Sequence, residues 1–412
     1  VLYQLHDWNR KILNPLSAWA DATSQFLSSP YSPFSYLPFS RRLAAGYDLL
    51  HRLGKQYEKP RFDLPMTEVD GVPVEVEESF ALEKPFCRLR HFERRLPPEL
   101  AHRQDDPKVL IFAPLSGHHA TLLRDTVRTL LPHADLYITD WIDARLVPLS
   151  EGPFHLDDYV EYCMEMIRLL GPRVHLISVC QPTVPVLGAV SLLASAGDAA
   201  LPRSMTMMGG PIDSRRNPTQ VNALAQRKPY EWFRDTVIFR VPSGHPGSMR
   251  QVYPGFLQHA GFVAMNPDRH MESHWDYYLD LVKGDQEDID AHRRFYDEYN
   301  AVIDLPAEYY LDTIRIVFQE HRLPKGTWEV RGQRVAPEDI RTVALLTVEG
   351  ELDDISGSGQ TQAAHALCRG IPEASKHHLD AVGVGHYGIF SGRRWRENIA
   401  PRIVEFIRAN HH

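Results

Sequence analysis

The stretch Val174–Val190, VHLISVCQPTVPVLGAV, decides how the rest of the chain is read. An apolar run from Val174 to Val179 ends at Cys180, and Gln181-Pro182 opens a second apolar run of helical character. A buried strand that turns sharply into a helix, with one reactive side chain at the tip, is a nucleophile elbow. The usual pattern is Gly-x-Ser-x-Gly; here Ser178-Val179-Cys180-Gln181-Pro182 puts a thiol in place of the hydroxyl. The free N–H groups and dipole of a helix N-terminus favour a thiolate, so this is a position at which cysteine is made reactive. The competing reading is a small buried hydrophobe, a common fate of free cysteine.

Outward from the elbow the elements alternate. Val109–Ala113 reads as a buried strand, Thr121–Leu131 as a helix, Leu136–Thr139 as a strand and Leu156–Leu170 as a helix. Beyond the elbow, helix Val184–Ala194 leads to strand Ser204–Met208, which ends at Gly209-Gly210-Pro211. Upstream, Asp70-Gly71 signals a hairpin turn and Phe86–Phe92 a further strand, before a polar link from Pro97 to Pro107. Strands followed by strand–helix alternation predict an α/β sheet with crossover helices.

The alternation stops near Asp213. From there to Pro337 the chain is rich in Trp, Tyr, Phe and His, with helical spacing in Tyr277–Val282, Ala291–Tyr299 and Ala307–Phe318 but no strand alternation. This predicts a mostly helical cap, residues 213–337, inserted into a sheet domain made of residues 66–212 and 338–412. In the second piece, Arg341–Val348 is an apolar strand, His377–Leu379 a weak one, and Trp395–Ala409 an amphipathic helix. Residues 1–65 form a helical extension, with breaks expected at Leu13-Asn14-Pro15 and Ser29-Pro30-Tyr31-Ser32-Pro33. Its helix Arg41–Tyr57 carries Leu43, Tyr47, Leu50 and Leu53 on one side, a face expected to pack on the main domain.

The net charge of −8 with scattered basic residues argues against a nucleic-acid partner. No uninterrupted apolar run is long enough to span a bilayer, and Val1–Asp7 lack the basic start and apolar core of a signal peptide. The four cysteines, Cys87, Cys163, Cys180 and Cys368, are widely spaced without a CxxC, so neither a zinc site nor a disulfide framework is expected. A reducing cytoplasm suits that usage, and no metal is expected.

A nucleophile at Cys180 needs a base and a group to orient it, in the chain order nucleophile, acid, base. Strand Arg341–Val348 runs into Glu349-Gly350-Glu351-Leu352-Asp353-Asp354-Ile355, and the last strand runs into Ala381-Val382-Gly383-Val384-Gly385-His386. His386 is therefore the expected base and Asp353 the first choice of acid, with Asp354 and Glu351 as alternatives that spacing leaves open. An oxyanion hole needs two inward N–H groups: one is expected from Gln181, the other from the loop Pro114-Leu115-Ser116-Gly117, with Leu115 the choice.

Together these residues resemble the intracellular polyhydroxybutyrate depolymerases and, more distantly, the polyhydroxyalkanoate synthases. The likeness runs from Leu2-Tyr3-Gln4-Leu5-His6, through Leu43–Tyr47, Gly54–Pro60 and the cysteine box Ser178–Pro182, to Tyr309-Tyr310-Leu311-Asp312-Thr313-Ile314 and Val348–Gly357. The resemblance implies an α/β-hydrolase fold with a cap, in which Cys180, Asp353 and His386 are nucleophile, acid and base. Ser178 and Pro182 stand where the synthases keep glycines, which favours a depolymerase over a synthase-like acyltransferase. The implied partner is poly(3-hydroxybutyrate), as a granule surface or as oligomers, met in the cytoplasm. No cofactor is required, although coenzyme A is a second acyl acceptor that thioester chemistry allows. A non-catalytic granule-binding protein is the third alternative.

Overall fold

The computed structural model describes residues 2–29, 31–32, 39–265 and 267–411. The chain opens with two helices, α1 (Leu2–Ser28) and α2 (Ser40–Gly54). Strands β1 (Met66–Val69), β2 (Val72–Glu83) and β3 (Cys87–Arg94) follow, the first two joined at Asp70-Gly71, both with positive φ. Then come β4 (Lys108–Phe112), α3 (Arg124–Leu130), β5 (Asp135–Trp141), α4 (Leu156–Leu170), β6 (His175–Val179), α5 (Thr183–Ser195) and β7 (Ser204–Met208).

The cap follows β7. Its helices are α6 (Gln220–Arg227), α7 (Tyr230–Thr236), α8 (Gly255–Met265), α9 (Pro267–Lys283), α10 (Gln286–Tyr299) and α11 (Ala307–Thr313). Between them lie short strands, β8 (Phe239–Arg240), β9 (Gln251–Tyr253) and β10 (Leu305–Pro306), and a hairpin of β11 (Glu329–Val330) and β12 (Gln333–Arg334). The cap is thus mostly helical, as expected; its strands, of two or three residues, are too short to show an alternation in sequence. The chain closes with β13 (Ala344–Gly350), α12 (Ala363–Leu367), β14 (Lys376–Ala381), α13 (Gly392–Arg394) and α14 (Ala400–Ala409).

Nine strands form one sheet in the order β1-β2-β3-β5-β4-β6-β7-β13-β14. The first three and β5 pair antiparallel; from β5 onward all neighbours are parallel. Such a sheet is covered on both faces, which is why β6 and β7 are buried at every residue and read as unbroken apolar runs. One face packs on α4 and α5 through residues such as Cys163, Ile167, Leu187 and Val190; the other packs on α3 and α14 through Val127, Ile403 and Ile407. Burying a side chain of this size stabilises the fold by about 1.5–3 kcal/mol. The arrangement, with a helical cap between β7 and β13, is an α/β-hydrolase fold.

The N-terminal helices depart from expectation in two ways. α1 runs unbroken through Pro15, whereas a break was expected at Leu13-Asn14-Pro15. An interior proline costs a helix about 3 kcal/mol, and here anchors on both sides of it offset that cost. Before it, the Tyr3 hydroxyl donates to Asp304 of the cap. After it, Ser17 Oγ donates to the His51 carbonyl (2.9 Å) and Ser24 Oγ to the Ala44 carbonyl (2.8 Å). In the second expected break α1 ends at Ser28, while Pro30 and Pro33 lie outside the described residues.

The second departure concerns the apolar face of α2, which ends at Gly54 rather than Tyr57. Leu43, Leu50 and Leu53 are exposed, not packed inward; the buried residues of α2 are Ser40, Ala44, Ala45 and Arg52. On α1 the buried residues are Tyr3, Ser17, Ala20 and Ser24, while Leu5, Trp8, Ile12, Leu16, Trp19 and Phe26 face outward. The two helices meet along their small residues, where close approach lets serine hydroxyls reach backbone carbonyls. Their large apolar side chains are left outside. The pair is fixed to the cap by Arg52–Asp297 (2.8 Å), Lys55–Asp297 (3.1 Å) and Arg293–Asp48 (2.9 Å).

Candidate active site

Cys180 follows the last residue of β6 and has a φ of +66°, a left-handed conformation that L-residues other than glycine rarely adopt. Three hydrogen bonds hold it there: its N–H donates to the Met208 carbonyl (2.7 Å), and its carbonyl accepts from the Thr183 hydroxyl (2.9 Å) and N–H (3.2 Å). The turn is thus the strand–helix elbow that the sequence suggests, built without the two flanking glycines. Ser178 is small enough to stay buried at the first, and Pro182 leads into α5 with a φ of −56° at the second. The glycines that make room directly follow the neighbouring strand, β7. A Cβ on Gly210 would lie 1.9 Å from Thr183 Oγ1 and 2.6 Å from the Cys180 carbonyl oxygen. One on Gly209 would lie 2.6 Å from Ile389 and 3.2–3.3 Å from Asp353 and His386.

His386 and Asp353 come from the loops after β14 and β13. The His386 Nδ1 is 2.7 Å from Asp353 Oδ2, and both side chains are buried. The other Asp353 oxygen accepts from the N–H groups of Ile355 (2.9 Å) and Ser356 (2.8 Å), so the carboxylate is held in one orientation. Asp354 and Glu351 are exposed, and Glu351 is occupied with the Gly383 N–H (2.8 Å). The structure therefore pairs His386 with Asp353 and with neither alternative. Burial opposes a charge on His386, but Cys180 and Asp353 beside it prevail and raise its proton affinity well above that of free imidazole. The same interaction places Cys180 against the imidazole.

Leu115 lies buried after β4 and Gln181 just past the elbow. Among the described residues neither backbone N–H donates to a protein acceptor. The two loops are tied together by Tyr309 of α11, which the sequence analysis quoted in a motif but gave no role. Its hydroxyl donates to the Leu115 carbonyl (3.1 Å). It is fully buried, and burial first, then the neighbouring Cys180, keep that hydroxyl protonated. The one sequence signal for Tyr309 was an aromatic pair opening a helical run, which is equally the mark of a core residue.

A cavity of about 990 Å³ lies between His386, Tyr387, Leu352 and Ile355 below and the cap helices α9 and α10 above. Its lining carries five carboxylates, Glu272, Asp276, Asp280, Asp288 and Asp354, with no Lys or Arg among the described lining residues. Phe295, Tyr296 and Tyr299 add aromatic surface. Elsewhere, Glu349, His378 and Asp380 bring ligand atoms within 4.8 Å of one another. Those atoms are already engaged: Glu349 accepts from Gly359 and Gln362 (2.8 Å each), and His378 pairs with Thr347 (2.8 Å) and Asp380 (2.9 Å). The group is a hydrogen-bond knot at the sheet edge. No described helix is long and apolar enough to cross a membrane.

Residues 209–411 match the family described as the PHB de-polymerase C-terminus. A search of curated proteins gives no significant match. Among solved structures, the chain is similar to a monoacylglycerol lipase of Paleococcus ferrophilus, with 14% identity, 74% of this chain and 96% of that one covered, and a TM-score of 0.44. It is also similar to 2-hydroxy-6-oxo-6-phenylhexa-2,4-dienoate hydrolase from Rhodococcus sp. strain RHA1 (12% identity, 81% and 99% covered, TM-score 0.45). A third is the enol-lactonase from Burkholderia xenovorans LB400 (12% identity, 84% and 100% covered, TM-score 0.39). With its C-terminal half in that family and its own sheet topology, the chain is a PHB depolymerase-type protein, a carboxylic-ester hydrolase on an α/β-hydrolase fold.

Proposed function

We propose that this protein is an intracellular poly(3-hydroxybutyrate) depolymerase that works through a Cys180–His386–Asp353 triad and a thioester acyl-enzyme. The observation that carries the reading is a cysteine forced to a φ of +66° at a strand–helix turn, against a buried His386–Asp353 pair. Cys180 Sγ attacks the ester carbonyl carbon while its proton passes to the imidazole, and Asp353 keeps Nδ1 protonated and the ring in place. The carbonyl oxygen gains charge and accepts from the Gln181 and Leu115 N–H groups. Collapse breaks the C–O bond, and His386 returns the proton to the leaving alkoxide. A water deprotonated by His386 then attacks the thioester, releasing the carboxylic acid and the thiol.

Water is the acceptor that the cavity favours. Five carboxylates without a Lys or Arg make an unfavourable approach for coenzyme A, whose phosphates are anionic, but not for an uncharged polyester. The outward apolar face of α1 and α2 supports contact with a granule surface, since exposed patches of this kind mark interaction sites.

The test is acid release from amorphous poly(3-hydroxybutyrate) granules by wild type and Cys180→Ala, with and without coenzyme A. Release by wild type alone, unaffected by coenzyme A, is expected. Formation of 3-hydroxybutyryl-CoA would replace water with thiolysis, and polymer growth from 3-hydroxybutyryl-CoA would make the protein an acyltransferase. Equal effects of both proteins would leave a granule-binding protein.

A further inference from the structure

The loop that carries Leu115 is held by the cap more than by the sheet. β4 ends at Phe112, and Ala113 is still bonded to β5: its N–H donates to Thr139 Oγ1 (2.9 Å) and its carbonyl accepts from the Trp141 indole (2.9 Å). Beyond it, three bonds run to the cap segment 299–309. His118 Nε2 donates to the Tyr299 carbonyl (3.1 Å), the Ile303 N–H to the Gly117 carbonyl (2.8 Å), and the Tyr309 hydroxyl to the Leu115 carbonyl (3.1 Å). The approach is close: Gly117 has a φ of +108°, and a Cβ there would lie 2.6 Å from Gln258 Oε1 of α8. The Tyr309 oxygen also meets the Gln181 side chain, on the turn that follows the nucleophile, and the Thr313 side chain of its own helix. One buried hydroxyl thus stands between the two residues whose N–H groups the reaction needs.

We propose that Tyr309 is a positioning residue for the oxyanion hole, its hydroxyl setting the Leu115 loop against the elbow. The inference rests on Cys180 being the nucleophile, and deepens that reading by naming what keeps the hole aligned. An oxyanion donor is effective only when it is aimed in advance at the place where charge develops. The Leu115 carbonyl is separated from the Leu115 N–H by a single Cα, so a bond to the carbonyl limits the rotation that would turn the N–H away. Bonds at Gly117 and His118 alone would keep the loop in place but not that peptide in orientation. Without the hydroxyl, a buried carbonyl loses its partner, and the loop shifts to regain one. Tyr309 therefore acts through Leu115 and not on the ester itself.

The experiment compares wild type, Tyr309→Phe and Tyr310→Phe. Tyr310 is the control: it is next along the same helix, and its hydroxyl is bonded to Tyr253 of β9 instead. Three quantities are read. They are kcat and KM on p-nitrophenyl butyrate, affinity for a trifluoromethyl ketone to which Cys180 adds as a hemithioketal, and the rate of Cys180 alkylation by iodoacetamide. The ketone adduct puts an oxyanion in the hole, whereas alkylation displaces iodide at a saturated carbon and makes none. In Tyr309→Phe, kcat is expected to fall about tenfold at unchanged KM, part of the about 10²–10³ that loss of a donor costs. Ketone affinity should fall by the same factor while alkylation keeps its rate, and Tyr310→Phe should match wild type throughout. If Tyr309→Phe does not fold, His118→Leu removes the bond to Tyr299 at the other end of the same loop, and the same split is expected. Values of kcat and ketone affinity within twofold of wild type would overturn the proposal while leaving Cys180 in place. So would slower alkylation, which moves the damage to the elbow, or equal losses in Tyr310→Phe, which assign them to helix packing. If Cys180→Ala cleaves the ester like wild type, the nucleophile reading falls and this one falls with it.

Discussion

Cys180 differs from the other three cysteines in its surroundings as well as its backbone. Cys87, Cys163 and Cys368 are buried, and burial pushes their thiols up, Cys368 to about 12 and the other two well above the ordinary value. Only Cys180 is partly open. Iodoacetamide is therefore expected to label the native protein once, at Cys180, and all four cysteines after denaturation, as counted by intact-protein mass spectrometry. Native labelling of a buried cysteine before Cys180 would contradict this arrangement. At this scale the sequence was informative wherever chain order constrains chemistry. Cys180 and His386 stand out because one ends an apolar strand and the other follows a glycine-flanked loop. The acid did not stand out, because Glu351, Asp353 and Asp354 all follow the same strand. What separates them is which carboxylate the loop turns inward, and Asp353 is fixed there by two backbone N–H groups that no spacing rule shows.

Among the elements, strands and crossover helices of the sheet were legible because a parallel sheet buried on both faces imposes one simple pattern, as in β6 and β7. The α1–α2 pair was not. An amphipathic period shows which residues share a face but not which face turns inward, and here the small-residue faces meet. The outward side chains hold little of the fold together, so exchanging Trp8, Leu16, Leu50 and Leu53 for serine is expected to change stability by about 0.5 kcal/mol or less at each site. Adsorption of the same variant to poly(3-hydroxybutyrate) granules should fall several-fold in a sedimentation assay. A large drop in melting temperature would show instead that these residues are core, and unchanged adsorption would move the contact surface elsewhere.

For the molecule as a whole, stability should depend on pH through histidines that folding keeps neutral. Burial lowers His118 to about 4 and His175 to about 3, with nearby positive groups adding to the effect at His175. His119 and His292 are lowered to about 3, by burial first and then by neighbouring charges. Between pH 6.5 and those values the unfolded chain binds protons that the folded one refuses, so their contribution is present above pH 6.5 and is lost as pH falls. Each such group removes stability at up to about 1.4 kcal/mol per pH unit. Asp143, raised to about 7 by burial and by Asp304, acts in the opposite sense, since its proton favours the folded form. Asp304 and Glu298, raised by burial, and His386, raised by its neighbours, act with it, but burial also lowers His6, His133, His259, His274, His321 and His365. The depressed histidines outnumber the raised groups, and the melting temperature is expected to drop as pH is lowered from neutral through 5; a flat profile over that range would mean that these side chains are hydrated. The elbow enters the same balance as a debit. A side chain at a φ of +66° costs about 1–2 kcal/mol, which the surrounding sheet carries. Glycine at position 180 would release that strain where alanine would not, so Cys180→Gly should be inactive yet melt at a higher temperature than Cys180→Ala. The most stable form of this fold would then be one that has stopped being an enzyme.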